Sequence, residues 1–450
     1  LIRHSNFVIR HCPYNARMSQ PASPVRAAAL KIVQVLHDAG HVAYFAGGCV
    51  RDTLLGLSPK DYDIATDAHP RRVGELFRHT QFVGEAFGVV LVRLMGHVVE
   101  VATFRAEAGY DDGRRPTHVT FTDAQHDAQR RDFTINGLFE DPLAPGAAIE
   151  QRVIDHVGGV ADLKAGVLRA IGDPDERFGE DYLRMLRAAR FAARFNFQIE
   201  TRTARAVKVN ARYLGQISRE RIGQEVKLML TGSRPALACR LMQDLTLDAP
   251  TLGEPHLDAK LSTVQSVPAG APYAVTLAAW LLDRHVLHEP EAQADLGHAL
   301  SRLVHQQLES LIKRWRGALC LSNEDRDLLR LMLTDLPDVT AWPQSDVARR
   351  KRLLARAQWP GTWTLLQAMA WLPAARALVE AIDRDSPALL AQGVAPTPFV
   401  TGDDLIAQGE KPGPAFRQVL DAVYDAQLRG EVGDRSEALA WVRARRGEQR

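Results

Sequence analysis

Apolar side chains at Val25, Ala29, Ile32, Val33 and Leu36 recur at helical spacing and stop before Gly40, which predicts a helix from Val25 to Asp38. The period then shortens to two. His41–Phe45, Tyr62–Thr66, Phe87–Leu94, His97–Arg105 and Val119–Phe121 are rich in Val, Phe and Thr and read as strands. Gly47 and Gly48 break the first of these, and Val50–Leu55 reads as a short helix stopped by Gly56 and Pro59. Beyond Gly158-Gly159 the helical period takes over. Residues 175–232 are helical in pattern and strongly basic, and 236–385 are almost all helix. All seven tryptophans, starting with Trp280, lie in the second part, so the two parts need differently built cores. Pro387, Pro396 and Pro398 predict a linker, and 399–450 two helices separated at Gly430 and Gly433. The expected division is an unstructured extension (1–20), a mixed α+β segment (21–150), and three helical segments (151–235, 236–390 and 391–450).

The chain has 450 residues, 46% hydrophobic and 24% charged, a globular composition of about three domains' length. Its 56 basic and 54 acidic side chains leave a net charge of +2. Near-neutrality does not exclude a nucleic-acid partner, because the basic residues gather locally. No apolar run reaches the ~20 residues of a membrane span, so no membrane association is expected and the chain reads as soluble. Cys12, Cys49, Cys239 and Cys320 form no Cys-x-x-Cys pair, which argues against a structural zinc or a disulfide framework and fits a reducing cytoplasm. Residues 1–17 lack the apolar core of a signal peptide, and Met18 reads as a natural start.

Candidate chemistry concentrates in one segment. Gly47-Gly48-Cys49-Val50-Arg51-Asp52 precedes Asp61-Tyr62-Asp63, with 12 residues between Gly48 and Asp61. Asp61 and Asp63 alternate along a strand and share a face. Two such carboxylates repel unless a cation sits between them, and Mg2+ takes oxygen ligands shared with substrate phosphates. The glycines permit close approach of backbone to phosphate, and Arg51 in the following turn can reach it. Alone, Asp-x-Asp is an ordinary solvated strand end. With the preceding Gly-Gly-x-x-Arg-Asp it resembles the signature of the DNA polymerase β-type nucleotidyltransferases. Glu100, which interrupts an apolar strand, is either a third carboxylate of that site or an arginine partner.

Two further segments carry charge in an ordered way. Arg130-Arg131-Asp132-Phe133-Thr134-Ile135-Asn136 places two arginines where a helix is expected to begin. Downstream, Asp181, Arg184, Arg187 and Arg190 recur every three residues on an expected helix, a row that winds slowly round it. A carboxylate beside a guanidinium matches the donor–acceptor edge of adenine or cytosine but not of guanine or uracil. The plain alternative is an intrahelical salt bridge worth a few tenths of a kcal/mol.

Together these segments resemble the class II tRNA nucleotidyltransferase and bacterial poly(A) polymerase family. Ile154-Asp155-His156-Val157-Gly158-Gly159 and Ser218-Arg219-Glu220-Arg221-Ile222-Gly223-Gln224-Glu225 resemble two more of its motifs, and the five span about residues 40–230. The resemblance implies a polymerase β-like nucleotidyltransferase head followed by all-α neck, body and tail domains. It implies Asp61, Asp63 and Glu100 as catalytic, with Mg2+ on the two aspartates. Nucleotide contacts are implied for Gly47, Gly48, Arg51, Arg131, Asp132, Asn136, Asp181, Arg184, Arg187 and Arg190. The stretch 105–116, with Arg105, Asp112, Gly113, Arg114 and Arg115, looks like the flexible loop needed to switch to terminal adenosine. The expected substrates are CTP, ATP and a tRNA 3′ end. Poly(A) synthesis on other RNA ends, or addition of A alone, is the alternative. Gly84-Glu85-Ala86-Phe87-Gly88 departs from the basic form associated with poly(A) polymerases and favours CCA addition. No His-Asp dipeptide follows residue 150, so no HD-type phosphohydrolase metal site is expected. The segments Thr401–Leu405, Lys411–Pro414 and Gln427–Glu431 resemble an RNA-contacting tail, or are simply a capped helix pair.

Overall fold

The structure, a computed structural model, describes residues 23–83, 88–110, 116–146, 148–287, 290–407 and 413–447, with side chains left out at 107–110, 116–118, 291 and 446–447. The expected 1–20 extension, Gly84–Phe87, the loop residues Asp112, Gly113, Arg114 and Arg115, and Lys411-Pro412 lie outside the described residues. The chain divides into two compact units. One runs through Ala165 and includes Arg169–Gly172; the other takes Gly166–Leu168 and everything from Asp173 onward.

The first unit opens with α1 (Pro24–Asp38), β1 (Ala43–Ala46), α2 (Gly48–Leu54), β2 (Asp63–Thr66) and α3 (Pro70–Leu76). Then come β3 (Thr80–Phe82), β4 (Val89–Leu94), β5 (His97–Thr103), β6 (Arg105–Tyr110), β7 (Pro116–Phe121) and α4 (Ala124–Gln129). It closes with β8 (Leu138–Glu140), β9 (Val153–Asp155) and α5 (Gly159–Ala165). Seven strands make one sheet in the order β3-β4-β5-β2-β1-β8-β9. Only β2 and β5 run parallel; the other neighbours are antiparallel. Side-chain alternation gives the sheet two faces. On one, α1 buries Ala28, Ala29, Ile32, Val33 and Leu36. On the other, Ala46, Ala65, Phe104 and Phe139 pack with Ala128 of α4. Arg105–Tyr110, read from the sequence as the start of a loop, is a strand, paired antiparallel with β7 in a two-stranded ribbon.

The second unit is helical apart from a short parallel pair, β10 (Val167–Leu168) with β11 (Gln198–Ile199). Its leading helices are α6 (Pro174–Glu180), α7 (Leu183–Phe195), α8 (Thr201–Asn210) and α9 (Arg219–Leu230). The expected continuous helix is therefore interrupted at Asp181-Tyr182. Asp181 is extended, and its carboxylate accepts the Leu183 backbone N–H, starting α7 as a capping side chain does. Farther along, the helix Tyr273–His285 is buried on nearly every side, with Trp280 and Trp315 in edge-tilted contact at its centre. Pro387 does not break the chain; it lies inside the helix Pro373–Ala391, whose buried Leu378, Ile382 and Leu389 hold it against neighbours. The non-helical stretch is 392–401, around Pro396 and Pro398. Beyond it, Val400, Leu405, Val423, Ala426, Val432, Ala438 and Val442 form a separate small core. The helix Val347–Leu354 grips the helix Pro414–Arg429: buried Lys351 donates Nζ to the Leu428 carbonyl (3.0 Å), and Arg352 Nε reaches Asp425 (2.5 Å). Among the described residues no helix is long and apolar enough to cross a membrane.

Candidate functional site

The paired-acid site sits where β1, β2 and β5 meet. The β1–β2 ladder ends with Ala46 opposite Asp63, after which Gly47 turns the chain into α2. Tyr62 is buried between exposed Asp61 and Asp63, so the alternation continues one step beyond the regular strand. Ile64 pairs with Val101 on parallel β5. One residue back on each strand stand Asp63 and Glu100, both exposed and on the face of Ala65. The three acids feel one another's charge. Asp63 is pushed up to about 6, first by lost hydration, then by the charges of Glu100 and Asp61, with Arg131 opposing. Oxygen-only donors that repel one another are what a hard divalent cation relieves. Among the described residues no group of three or more His, Cys, Asp or Glu closes into a metal cage.

Around these acids the other sequence candidates take more internal positions than expected. Gly47 has φ +66°, and a Cβ there would lie 2.7 Å from Arg131 Nη1. Its own N–H is spent on the Leu138 carbonyl (2.8 Å). What requires glycine at 47 is thus the turn and the guanidinium behind it. Gly48 begins α2 and faces Arg51. Arg51 is 4% exposed; Nε donates to Asp52 (2.8 Å) and Nη1 to the Asn136 carboxamide oxygen. Asn136 donates in turn to Asp132 (2.9 Å), which also accepts the Phe133 N–H. Arg51, Asn136 and Asp132 therefore form a buried relay behind the turn.

Arg130 and Arg131 stand after the end of α4, not at the start of a helix as the sequence suggested. Cationic side chains complement a helix C-terminus. Both are anchored to Asp127, one turn back on α4. Arg131 also donates to the Asn136 carbonyl (3.1 Å) and lies over the Phe139 ring at 4.9 Å. Arg105 opens β6.

In the second unit the row of arginines exists, but its partners differ from the expected ones. Asp181 is held by Arg221 of α9, at 3.2 and 2.7 Å. Arg184 pairs with Glu180 and donates to the Arg177 carbonyl (2.8 Å). Arg190 meets Glu225 at 2.6 Å, with Arg187 4.0 Å from the same carboxylate, and both guanidiniums lie over Phe191. Asp181 Oδ1 is filled by Arg221 Nη1 and the Leu183 N–H, whereas Oδ2, which accepts Arg221 Nη2, has room for one further donor, so the Arg221 bridge orients the acid without exhausting it.

Residues 43–169 match the Poly A polymerase head domain, and residues 196–261 match a probable RNA and SrmB-binding site of polymerase A. The chain is 34% identical to a CCA-adding enzyme of Lactiplantibacillus plantarum over 423 residues, covering 92% of this chain and 94% of that one. This chain belongs to the tRNA nucleotidyltransferase and poly(A) polymerase family. A CCA-adding enzyme of Geobacillus stearothermophilus is 33% identical over 93% of this chain and 96% of its own length. The crystal structure of Bacillus stearothermophilus CCA-adding enzyme in complex with CTP superposes with a TM-score of 0.70 at 30% identity, covering 95% of this chain and 98% of that one. Thermotoga maritima CCA-adding enzyme complexed with tRNA shares the fold, at TM-score 0.62 and 21% identity over 92% and 93% of the two chains.

For this nucleotidyltransferase, sequence reasoning gave no role to Asp127, Arg221 or Glu225. Asp127 had a visible signal, standing three and four residues before Arg130 and Arg131. Arg221 and Glu225 had one too: they are spaced to share a helix face inside a quoted motif. Their partners, 40 and 35 residues away in sequence, were not readable.

Proposed function

We propose that this nucleotidyltransferase adds C, C and A to the 3′ end of tRNA, from CTP and ATP and without a nucleic-acid template, in the cytoplasm. The observation that carries the reading is identity of about one third to enzymes named for CCA addition across nearly their whole length, helical half included. Asp61 and Asp63, with Glu100 alongside, are the residues that would hold Mg2+. Bound there, it would supply a lower pKa for the RNA 3′-hydroxyl and charge neutralisation for the leaving pyrophosphate.

The chain's own groups do the rest. Arg131, fixed behind Gly47, brings positive charge to the acids where a triphosphate would lie. The relay of Arg51, Asn136 and Asp132 keeps the Gly-Gly turn in place. Asp181 accepts from the exocyclic amine of C or A while Arg184 donates to the ring nitrogen. Arg187 and Arg190 support that helix through Glu225 and Phe191. In this reading residues 151–235 select the base, and 236–390 and 391–450 hold RNA, chiefly through phosphate contacts that weaken with salt. Labelled RNA extension tests it. Three nucleotides added to a tRNA lacking its end, with CTP and ATP both required, supports CCA addition. Long ATP-only tails on generic RNA would replace it with poly(A) synthesis.

A further inference from the structure

Asp127 is 1% exposed, and its carboxylate is shared between two parts of the first unit, the Arg130-Arg131 segment that follows α4 and the start of β6. Oδ1 accepts from Arg130 Nε (2.9 Å) and from the backbone N–H of Arg105 (3.3 Å). Oδ2 accepts from Arg131 Nε (3.2 Å) and Nη2 (3.0 Å). Burial alone would favour the neutral acid, but the two guanidiniums outweigh it and hold the group below the ordinary aspartate range. Arg131 is thereby locked between this carboxylate, the Asn136 carbonyl, the Phe139 ring and the space that only glycine leaves at 47. From that socket its charge acts on Asp63. Arg105 is the first residue of β6, and Thr122 N–H to Phe104 O (2.9 Å) closes the foot of the same β6–β7 ribbon.

We propose that Asp127 is a positioning residue for the nucleoside triphosphate. It touches no reacting atom. It sets Arg131 where the triphosphate's charge must be met, and it fastens the root of the ribbon to the same anchor. This inference rests on the nucleotidyltransferase reading of the paired-acid site. A planar guanidinium that puts two N–H groups on one carboxylate oxygen needs a charged acceptor at one distance. Removing the charge frees Arg131 to turn, and lengthening the side chain by one carbon restores the charge but displaces the grip.

The test compares wild type with Asp127→Asn, Asp127→Glu and Asp123→Ala. Asp123 caps the same helix through the His126 N–H but does not touch Arg131, so its variant reports simple loosening of α4. Equilibrium binding of Mg·CTP and Mg·ATP is measured by calorimetry, beside thermal midpoints. The expected result is about tenfold weaker nucleotide binding in Asp127→Asn, partial recovery in Asp127→Glu, and wild-type affinity in Asp123→Ala at a comparable drop in midpoint. In turnover, the KM for nucleotide rises while the KM for RNA stays put. Unchanged nucleotide affinity in Asp127→Asn, or an equal loss in Asp123→Ala, overturns the proposal. Should wild type make only ATP tails, the CCA reading fails while the Mg·ATP arm still decides the role of Asp127.

Discussion

Arg221 holds Asp181 by both carboxylate oxygens, across the gap between the start of α7 and the helix α9. The acid expected to read a base is thus aimed by a residue 40 positions away in sequence. Arg221→Lys replaces a planar two-pronged donor with a single mobile one. The expected outcome is a roughly tenfold higher KM for CTP and ATP and weaker rejection of UTP and GTP, with little change in thermal midpoint. Steady-state rates with each of the four nucleotides check it.

Asp63 is raised first by lost hydration, then by the like charges of Glu100 and Asp61. Asp61→Ala relieves that repulsion, so the fold is expected to survive without loss. Turnover should fall by ~1000-fold or more, because several kcal/mol of transition-state stabilisation depend on cation binding at the pair. EDTA should do the same to wild type, reversibly on adding Mg2+. Turnover that persists in Asp61→Ala would refute the metal assignment.

Gly47→Ala forces a side chain into a left-handed turn and against Arg131 Nη1. A destabilisation of ~1–3 kcal/mol is expected in urea unfolding, together with reduced turnover. Gly48→Ala is the internal control. Its nearest neighbour would be Arg51 Nη2 at an ordinary 3.7 Å, and its stability should move by less than ~1 kcal/mol.

Asp283 is buried in the second unit and accepts the backbone N–H groups of Thr263 and Val264. Burial pushes it up to about 6 despite those bonds. The folded state therefore keeps a proton that the unfolded chain, near 3.8, releases. Its contribution is fully present at low pH and is lost as pH rises through about 6. Asp283→Asn removes this dependence. Between pH 4.5 and 7 the variant should gain about 2 kcal/mol relative to wild type, measured by denaturant unfolding at each pH.

The sheet and the paired acids were legible because their signals are local. Asp61, Tyr62 and Asp63 alternate within three residues, and Glu100 stands out between Val99 and Val101. The ribbon was missed because Arg105–Tyr110 carries Gly, Ala and charge in place of β-branched residues. The break at Asp181 was missed because no Pro or Gly marks it, although Asp is itself a favoured helix starter. Arg51 looked free to meet phosphate; its burial depends on Asn136, 85 residues on. Pro387 reads as part of a linker because a proline usually ends a helix, whereas tertiary packing carries the helix Pro373–Ala391 past it.

Lys351 ends inside protein with its ammonium on the last turn of the helix Pro414–Arg429. Parting the two helices would strand a carbonyl and a cation together, so cutting the backbone between 392 and 401 should not release the C-terminal piece. High salt would loosen the more open Arg352–Asp425 link yet leave this sheltered bolt in place. The two pieces should travel together through a sizing column until denaturant opens the seam.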